Sequence, residues 1–152
     1  MERIARARAS EVVYVELNRP YAFESPYELE EFAALIVAND ASLKDEERHL
    51  LSRQLVDSGC RYAVCTGHDS LAWDDSMDWA WLETDPRFDP PEETLVMTSW
   101  HDAEDPLEDV CYFLMKHTSF GDFEPRRFLV VFLGPDADRK REIVERIREL
   151  AS

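Results

Sequence analysis

The stretch RFLVVFL, at positions 127–133, constrains the fold of this chain more than any other part of its sequence. It is apolar at nearly every position, which suits a strand that is covered on both faces, and such strands occur in parallel sheets between layers of helices. Three further runs are rich in β-branched and aromatic residues and also predict strands. They are EVVYVEL (11–17), RYAVCT (61–66) and TLVMTS (94–99). Because helical patterns separate the four strands, the sequence predicts a three-layer α/β domain.

The first helix is predicted from a start signal near residue 25. In SPYE, Ser25 suits the N-cap, Pro26 the first helical position and Glu28 the capping box. Apolar residues then recur at spacings of three and four, which is typical of a helix with one buried face. The residues expected on that face are Phe32, Leu35 and Ile36.

Three other helices carry comparable signals. In DPLE, Asp105 suits the N-cap of a helix that follows the third strand. A helix over 43–57 should begin at Ser42 and end before Gly59, and a last helix should cover 137–150. The whole pattern resembles a small Rossmann-like or flavodoxin-like domain, with a mostly parallel sheet of about four strands and helices on both faces. A likeness at this level indicates a fold and carries no function.

Length and composition favour a single domain. The 152 residues suit one domain at 11–152, after a short basic N-terminal tail at 1–10 that lacks the apolar core of a secretion signal. The apolar run at 128–133 is far shorter than the roughly 20 residues that cross a bilayer. Three cysteines, an odd number without CxxC spacing, favour reduced and buried thiols over a disulfide framework. Together these features predict a soluble protein of the cytoplasm.

The charge of the chain is strongly negative and unevenly distributed. Its net charge is −16, and residues 66–125 contain 16 Asp or Glu but only two basic residues, Arg87 and Lys116. Such a field repels the phosphates of nucleic acids and of anionic membranes, so a protein that binds DNA, RNA or lipid is disfavoured. It attracts metal cations and basic protein surfaces. We therefore expect a partner with a basic surface, and acidity that serves only solubility is the alternative.

Two His-Asp pairs directly follow predicted strands. His68 and Asp69 come after the second strand, and His101 and Asp102 come after the third. In an open parallel sheet, ligands bind beyond the carboxyl ends of the strands. If these two strands are neighbours, the four side chains could share a divalent metal such as zinc, manganese or iron, which would activate water for hydrolysis. In a flavodoxin-like strand order, one strand intervenes and such convergence is strained.

A simpler interpretation of the same residues is local. Aspartate is frequent between a strand and a helix because its carboxylate accepts hydrogen bonds from backbone N–H groups at the start of the helix. On this interpretation Asp69 or Asp105 caps the next helix, and both histidines are solvated. The sequence favours this interpretation over a metal or acid-base site.

The segment 70–92 predicts a short helix followed by an acidic loop that contains prolines. Trp73, Met77 and Trp81 recur every four residues, which is more typical of core than of surface. Trp79 falls off that stripe, so at least one tryptophan should be exposed, as at interaction surfaces. The candidate interaction surface consists of Trp73, Asp74, Asp75, Asp78 and Trp79.

The usual motifs of α/β enzymes are missing from the sequence. It contains no GxGxxG or GxxxxGK[ST] for nucleotide phosphates and no GxSxG for a serine nucleophile. The leading hypothesis is therefore an acidic, non-enzymatic binding or regulatory module, such as an inhibitor or immunity-type protein that neutralises a basic partner surface. The alternative is a small metal-dependent hydrolase that uses the two His-Asp pairs.

Overall fold

The computed structural model describes residues 2–7, 10–27 and 30–151, which form six strands and four helices. The strands are β1 (Glu2–Ala7), β2 (Ser10–Leu17), β3 (Phe32–Ala38), β4 (Cys60–Gly67), β5 (Met97–Trp100) and β6 (Arg127–Leu133). The helices are α1 (Asp45–Asp57), α2 (Ser70–Leu82), α3 (Leu107–Lys116) and α4 (Ala137–Ala151), and a short 3-10 helix covers Glu92–Thr94. No helix in the described part of the chain combines the length and the apolarity needed to cross a membrane.

The strands form one sheet in the order β1-β2-β6-β3-β4-β5. The last five strands of that order are parallel, and β1 adds to β2 in the antiparallel direction. The predicted mostly parallel sheet is confirmed, with more strands than the four expected. Residues 2–7, which the sequence assigned to a basic tail, instead form the edge strand β1. Pairing with β2 satisfies backbone groups that a free tail would leave to water.

Helices cover both faces of the sheet, as predicted. Side chains of α1 and α2 share one hydrophobic cluster with one face of the sheet, and those of α3 and α4 share a second cluster with the other face. The apolar residues of β6 alternate between the two clusters, which explains why this strand is apolar at consecutive positions. Leu129, Val131 and Leu133 belong to the first cluster, and Phe128, Val130 and Phe132 belong to the second.

The helix predicted from Ser25 does not form, and this part of the prediction is wrong. Phe32–Ala38 is instead β3, a fully buried strand between β4 and β6. Its sequence, FAALIVA, is apolar throughout, so residues that fit one face of a helix also fit a strand that is covered on both faces. The expected cap has a local role, because the Ser25 hydroxyl accepts a hydrogen bond from the Tyr27 N–H at 3.0 Å. Glu28 lies outside the described residues.

The second predicted helix forms as α1, but it begins later than expected. Its N-cap is Lys44 rather than Ser42. The Lys44 N–H donates to the carboxylate of Glu47 at 3.0 Å, which closes the first turn of the helix. Ser42 instead donates from its N–H and its hydroxyl to Asp40. The polar residues before α1 therefore stabilise the end of β3 as well as the helix.

Candidate functional site

The alternative metal site requires that the two strands followed by His-Asp pairs are neighbours, and they are. β4 pairs with β5 in the parallel direction, so both His-Asp pairs follow adjacent strand ends. We searched the described residues for three or more potential metal ligands whose atoms lie within 4.8 Å of one another. The group that meets this condition is three aspartates of α2. The structure thus places His68, Asp69, His101 and Asp102 along one edge without joining them into one ligand set.

The first His-Asp pair lies in the turn from β4 into α2. Gly67 has a φ of +94°, and a Cβ on it would lie 2.4 Å from the backbone oxygen of Ala38. His68 is exposed, and its N–H donates to the same oxygen at 2.8 Å. Asp69 has a φ of 55°, and its carboxylate makes no capping hydrogen bond to α2 but lies 3.7 Å from Arg48. The predicted cap at Asp69 is therefore wrong, and the turn itself accounts for this pair.

The second pair packs against α3. The rings of His101 and Phe113 meet edge to face with centroids 5.3 Å apart, and Nδ1 of His101 lies 3.9 Å from Asp105. Nε2 of His101 is buried without a hydrogen-bond partner among the described residues. The exposed Asp102 donates its N–H to the Asp105 carboxylate at 3.1 Å. Because this carboxylate bonds to the preceding turn and gives α3 no side-chain cap, the cap predicted at Asp105 is also wrong.

At the other strand ends, polar groups of the protein satisfy one another. Arg19 lies 3.1 Å from Glu47 and 3.5 Å from Asp40. The Tyr21 hydroxyl donates to Asp40 at 2.6 Å, and burial together with this hydrogen bond raises the pKa of Tyr21 to about 12. Hydrogen bonds from Ser42 and Tyr21 lower the pKa of Asp40 to about 2. The edge at which parallel sheets usually bind ligands is therefore occupied by internal ion pairs and hydrogen bonds.

Three carboxylates of α2 cluster beside the edge strand β5. The Thr98 hydroxyl oxygen lies 3.0 Å from an oxygen of Asp74 and 3.0 Å from an oxygen of Asp78, and Asp75 completes the group. A hydroxyl has one proton to donate, so it serves one carboxylate at a time. Burial raises the pKa of Asp74 and that of Asp78. The cluster concentrates negative charge at the border between α2 and β5.

An exposed apolar surface adjoins this cluster. Trp79 and Phe88 are each 57% exposed, and their rings meet edge to face with centroids 6.4 Å apart. Leu71 and Asp75 are also exposed and lie on the same side of α2 as Trp79, because the three are four residues apart. Phe88 has a left-handed backbone with a φ of 57°, which is rare for a bulky residue. We call Leu71, Asp75, Asp78, Trp79 and Phe88 the acidic-aromatic surface.

Sequence reasoning identified part of this surface. Of the predicted surface residues, Asp75, Asp78 and Trp79 are accessible, whereas Trp73 and Asp74 are buried. Leu71 and Phe88 were missed. The four-residue spacing from Leu71 to Trp79 was a usable signal, whereas the loop conformation that brings Phe88 onto Trp79 leaves no local pattern in the sequence.

The three cysteines act as small apolar residues. Cys60, Cys65 and Cys111 are free and buried. Burial raises the pKa of Cys60 and that of Cys111 to about 12, and it also raises the pKa of Cys65. At neutral pH these thiols are protonated, so they are poor nucleophiles and poor metal ligands.

Comparison with known families gives a match over most of the chain. Residues 12–151 match the model of a family described as Domain of unknown function (DUF7684). The match runs from within β2 to the last residue of α4, so it includes the acidic-aromatic surface. No curated protein matches the chain.

Proposed function

Because the chain belongs to the DUF7684 family, whose description names no activity, we propose its function from the geometry of its surface. The protein is a non-enzymatic binding or regulatory module, and its acidic-aromatic surface holds a basic surface of a partner protein. The observation that carries this proposal is the exposed pair of Trp79 and Phe88 beside the carboxylates of Asp75 and Asp78.

The aromatic pair supports binding because its exposure is unfavourable in the free protein. Trp79 and Phe88 keep most of their ring area in water, and burying such area against a partner contributes roughly 25 cal/mol per Å². The left-handed backbone of Phe88 costs a further 1 to 3 kcal/mol or so. Hydrogen bonds hold it in place, since the Phe88 N–H donates to the Asp85 carbonyl and the Asp89 N–H donates to the Asp85 carboxylate, both at 3.0 Å.

The charge around this pair indicates a basic partner. α2 contains three aspartates and no lysine or arginine, and it lies within the acidic segment 66–125. Such a field speeds the encounter with a positive surface and disfavours negative partners. An arginine of the partner makes two favourable contacts at this surface, because it pairs with a carboxylate and stacks on the face of Trp79. An inhibitor or immunity-type protein that neutralises a basic surface is the form of module that these features favour.

The metal-dependent hydrolase finds less support in the geometry. His101 packs on Phe113, and Asp69 lies 3.7 Å from Arg48. A bound metal would need these donor atoms at roughly 2.0 to 2.2 Å from one point. The binding module needs no such rearrangement.

The experiment is a comparison of variants in partner capture and affinity. Proteins retained by the immobilised wild-type chain are identified, and the dissociation constant of each is measured by calorimetry at low and high salt. Trp79→Ala should reduce the affinity for the partner by at least about 2 kcal/mol, or about thirtyfold in Kd. The double variant Asp75→Asn/Asp78→Asn should weaken it also, and added salt should reduce the affinity of the wild type.

Matched controls distinguish binding at this surface from nonspecific hydrophobic or electrostatic binding. Tyr112→Ala removes an exposed aromatic side chain from α3, and Asp138→Asn removes an exposed carboxylate from α4. Both should bind as the wild type does. A retained protein that is acidic, or whose affinity is equal for the wild type and Trp79→Ala, contradicts the proposal.

A further inference from the structure

The outer edge of β5 carries backbone N–H and C=O groups that pair with no strand in the described part of the chain. β5 is the last strand of the sheet and pairs with β4 alone. The His101 N–H donates to the Cys65 carbonyl at 2.9 Å, so the odd-numbered residues of this segment direct their N–H and C=O groups toward β4. Thr98 and Trp100 then direct theirs outward. Within the described ranges, no strand pairs with this edge.

The same edge is bordered by the acidic cluster. Side chains alternate along a strand, so Thr98 and Trp100 both lie on the α2 face of β5. The Thr98 hydroxyl touches Asp74 and Asp78, and Trp100 is 45% exposed. Any strand added beyond β5 would place every second side chain next to these carboxylates and this indole ring.

We propose that the basic partner binds here as an extended segment that adds a strand to β5, with lysine or arginine at every second position. This inference rests on the proposed binding function and specifies the form of the ligand. The outward N–H and C=O groups of Thr98 and Trp100 bond to the backbone of the added strand, which supplies affinity. The carboxylates of α2 select basic side chains on one face of it, which supplies specificity.

Charge argues that the occupant is a different protein rather than a second copy of this chain. Two copies paired through β5 would bring two acidic clusters together, and each copy already carries a net charge of −16. Like charges placed opposite one another across strands are destabilising. A basic segment instead neutralises the cluster as it binds.

The test uses a synthetic heptapeptide in which lysine and valine alternate, with lysine at both ends, and measures its Kd by NMR titration of the wild-type protein. Two further peptides have the same sequence but carry N-methyl groups, one on its lysine amides and one on its valine amides. An antiparallel strand with lysines on the α2 face turns the lysine N–H groups toward β5, whereas a parallel strand turns the valine N–H groups toward it. Strand addition therefore predicts that one methylated peptide binds at least tenfold more weakly and that the other binds within threefold of the parent.

Protein variants give a second readout. Thr98→Pro removes an outward N–H at a place where an edge strand tolerates proline, and should weaken the parent peptide at least tenfold. Thr98→Val keeps the N–H and loses only the hydroxyl, so it should bind within threefold of the wild type. Circular dichroism checks that both variants are folded, and the peptide comparison stands without them.

The outcomes distinguish this inference from the proposed function. If both methylated peptides bind as the parent does while Asp75→Asn/Asp78→Asn weakens all three, strand addition is wrong and the acidic binding surface remains. If the parent peptide does not bind, or if both methylated peptides lose binding, strand addition is wrong. The proposed binding function is then tested by the partner affinity of Trp79→Ala alone. A dimer in sedimentation that Thr98→Pro dissociates would show that a second copy occupies the edge, and would also overturn the inference.

Discussion

Replacing Asp78 with asparagine should stabilise the protein at neutral pH. Asp74 and Asp78 each lie 3.0 Å from the hydroxyl of Thr98, so two negative charges share one donor in a partly buried place. Oxygens of the two carboxylates lie within 4.8 Å of each other, and two like charges about 4 Å apart repel by roughly 1 kcal/mol in water and by more where solvent is reduced. The asparagine amide keeps the shape, removes the repulsion and can donate to Asp74. We expect the free energy of unfolding to increase by about 1 kcal/mol at pH 7.

The effect of Asp78→Asn should depend on pH in a defined direction. Burial raises the pKa of both carboxyls above the ordinary value of 3.8. A carboxyl whose pKa is raised in the folded state does not reduce the free energy of unfolding at a pH below its unfolded-state pKa. It reduces that free energy progressively as the pH rises through the folded-state pKa. The variant loses less stability over that range. Its advantage over the wild type should be nearly absent at about pH 3.5 and should grow toward pH 7.

Urea unfolding curves at a series of pH values measure this difference. The matched control is Asp75→Asn, which removes the same charge from the same helix at an exposed carboxylate. We expect it to change stability by less than half as much, because water screens an exposed charge. The reasoning is refuted if Asp78→Asn is less stable than the wild type at pH 7, or if its advantage does not change with pH.

Two further predictions concern the turn into α2 and the thiols. Gly67→Ala should lower the free energy of unfolding by about 3 kcal/mol or more, since its Cβ would lie 2.4 Å from the Ala38 oxygen at a φ of +94°. Gly121→Ala has a φ of +51° and no atom within 4 Å of the added Cβ, so it should cost only about 1 to 2 kcal/mol. Equal losses for the two variants in urea unfolding would contradict the close approach at Gly67. The three cysteine thiols are buried, so a disulfide reagent should label them only as fast as the protein opens. Rapid labelling of the native protein would show that they are accessible.

The fold could be predicted from the sequence wherever a local pattern is compatible with only one kind of secondary structure. Consecutive apolar residues in β6 indicated a strand covered on both faces, and β6 lies inside the sheet. Phe32–Ala38 has the same character, but the turn signal at Ser25 and the apolar spacing favoured a helix. Over seven residues a buried strand and a buried helix share one pattern. The partners that distinguish them, β4 and β6, are distant in sequence.

The candidate site was predictable to the extent that it follows helical periodicity. Trp79 falls off the buried stripe of α2, and it is exposed. The position of Phe88 depends on a left-handed residue in a loop, and that of Thr98 depends on how α2 lies across β5. The sequence placed both His-Asp pairs at strand ends but left open whether the two strands are neighbours, which they are. The direction of the His101 ring, however, is set by packing on Phe113, which no local pattern encodes.

The last strand of the sequence has a central place in the sheet, and this determines when the protein can fold. β6 pairs with β2 on one side and with β3 on the other, so β2 and β3 do not pair with each other. Until residues 127–133 have left the ribosome, the chain can form only two half-sheets, and each presents an apolar, unpaired edge to the other. The sheet can therefore be completed only after the other five described strands have been synthesised. A nascent chain that still lacks β6 exposes two aggregation-prone edges.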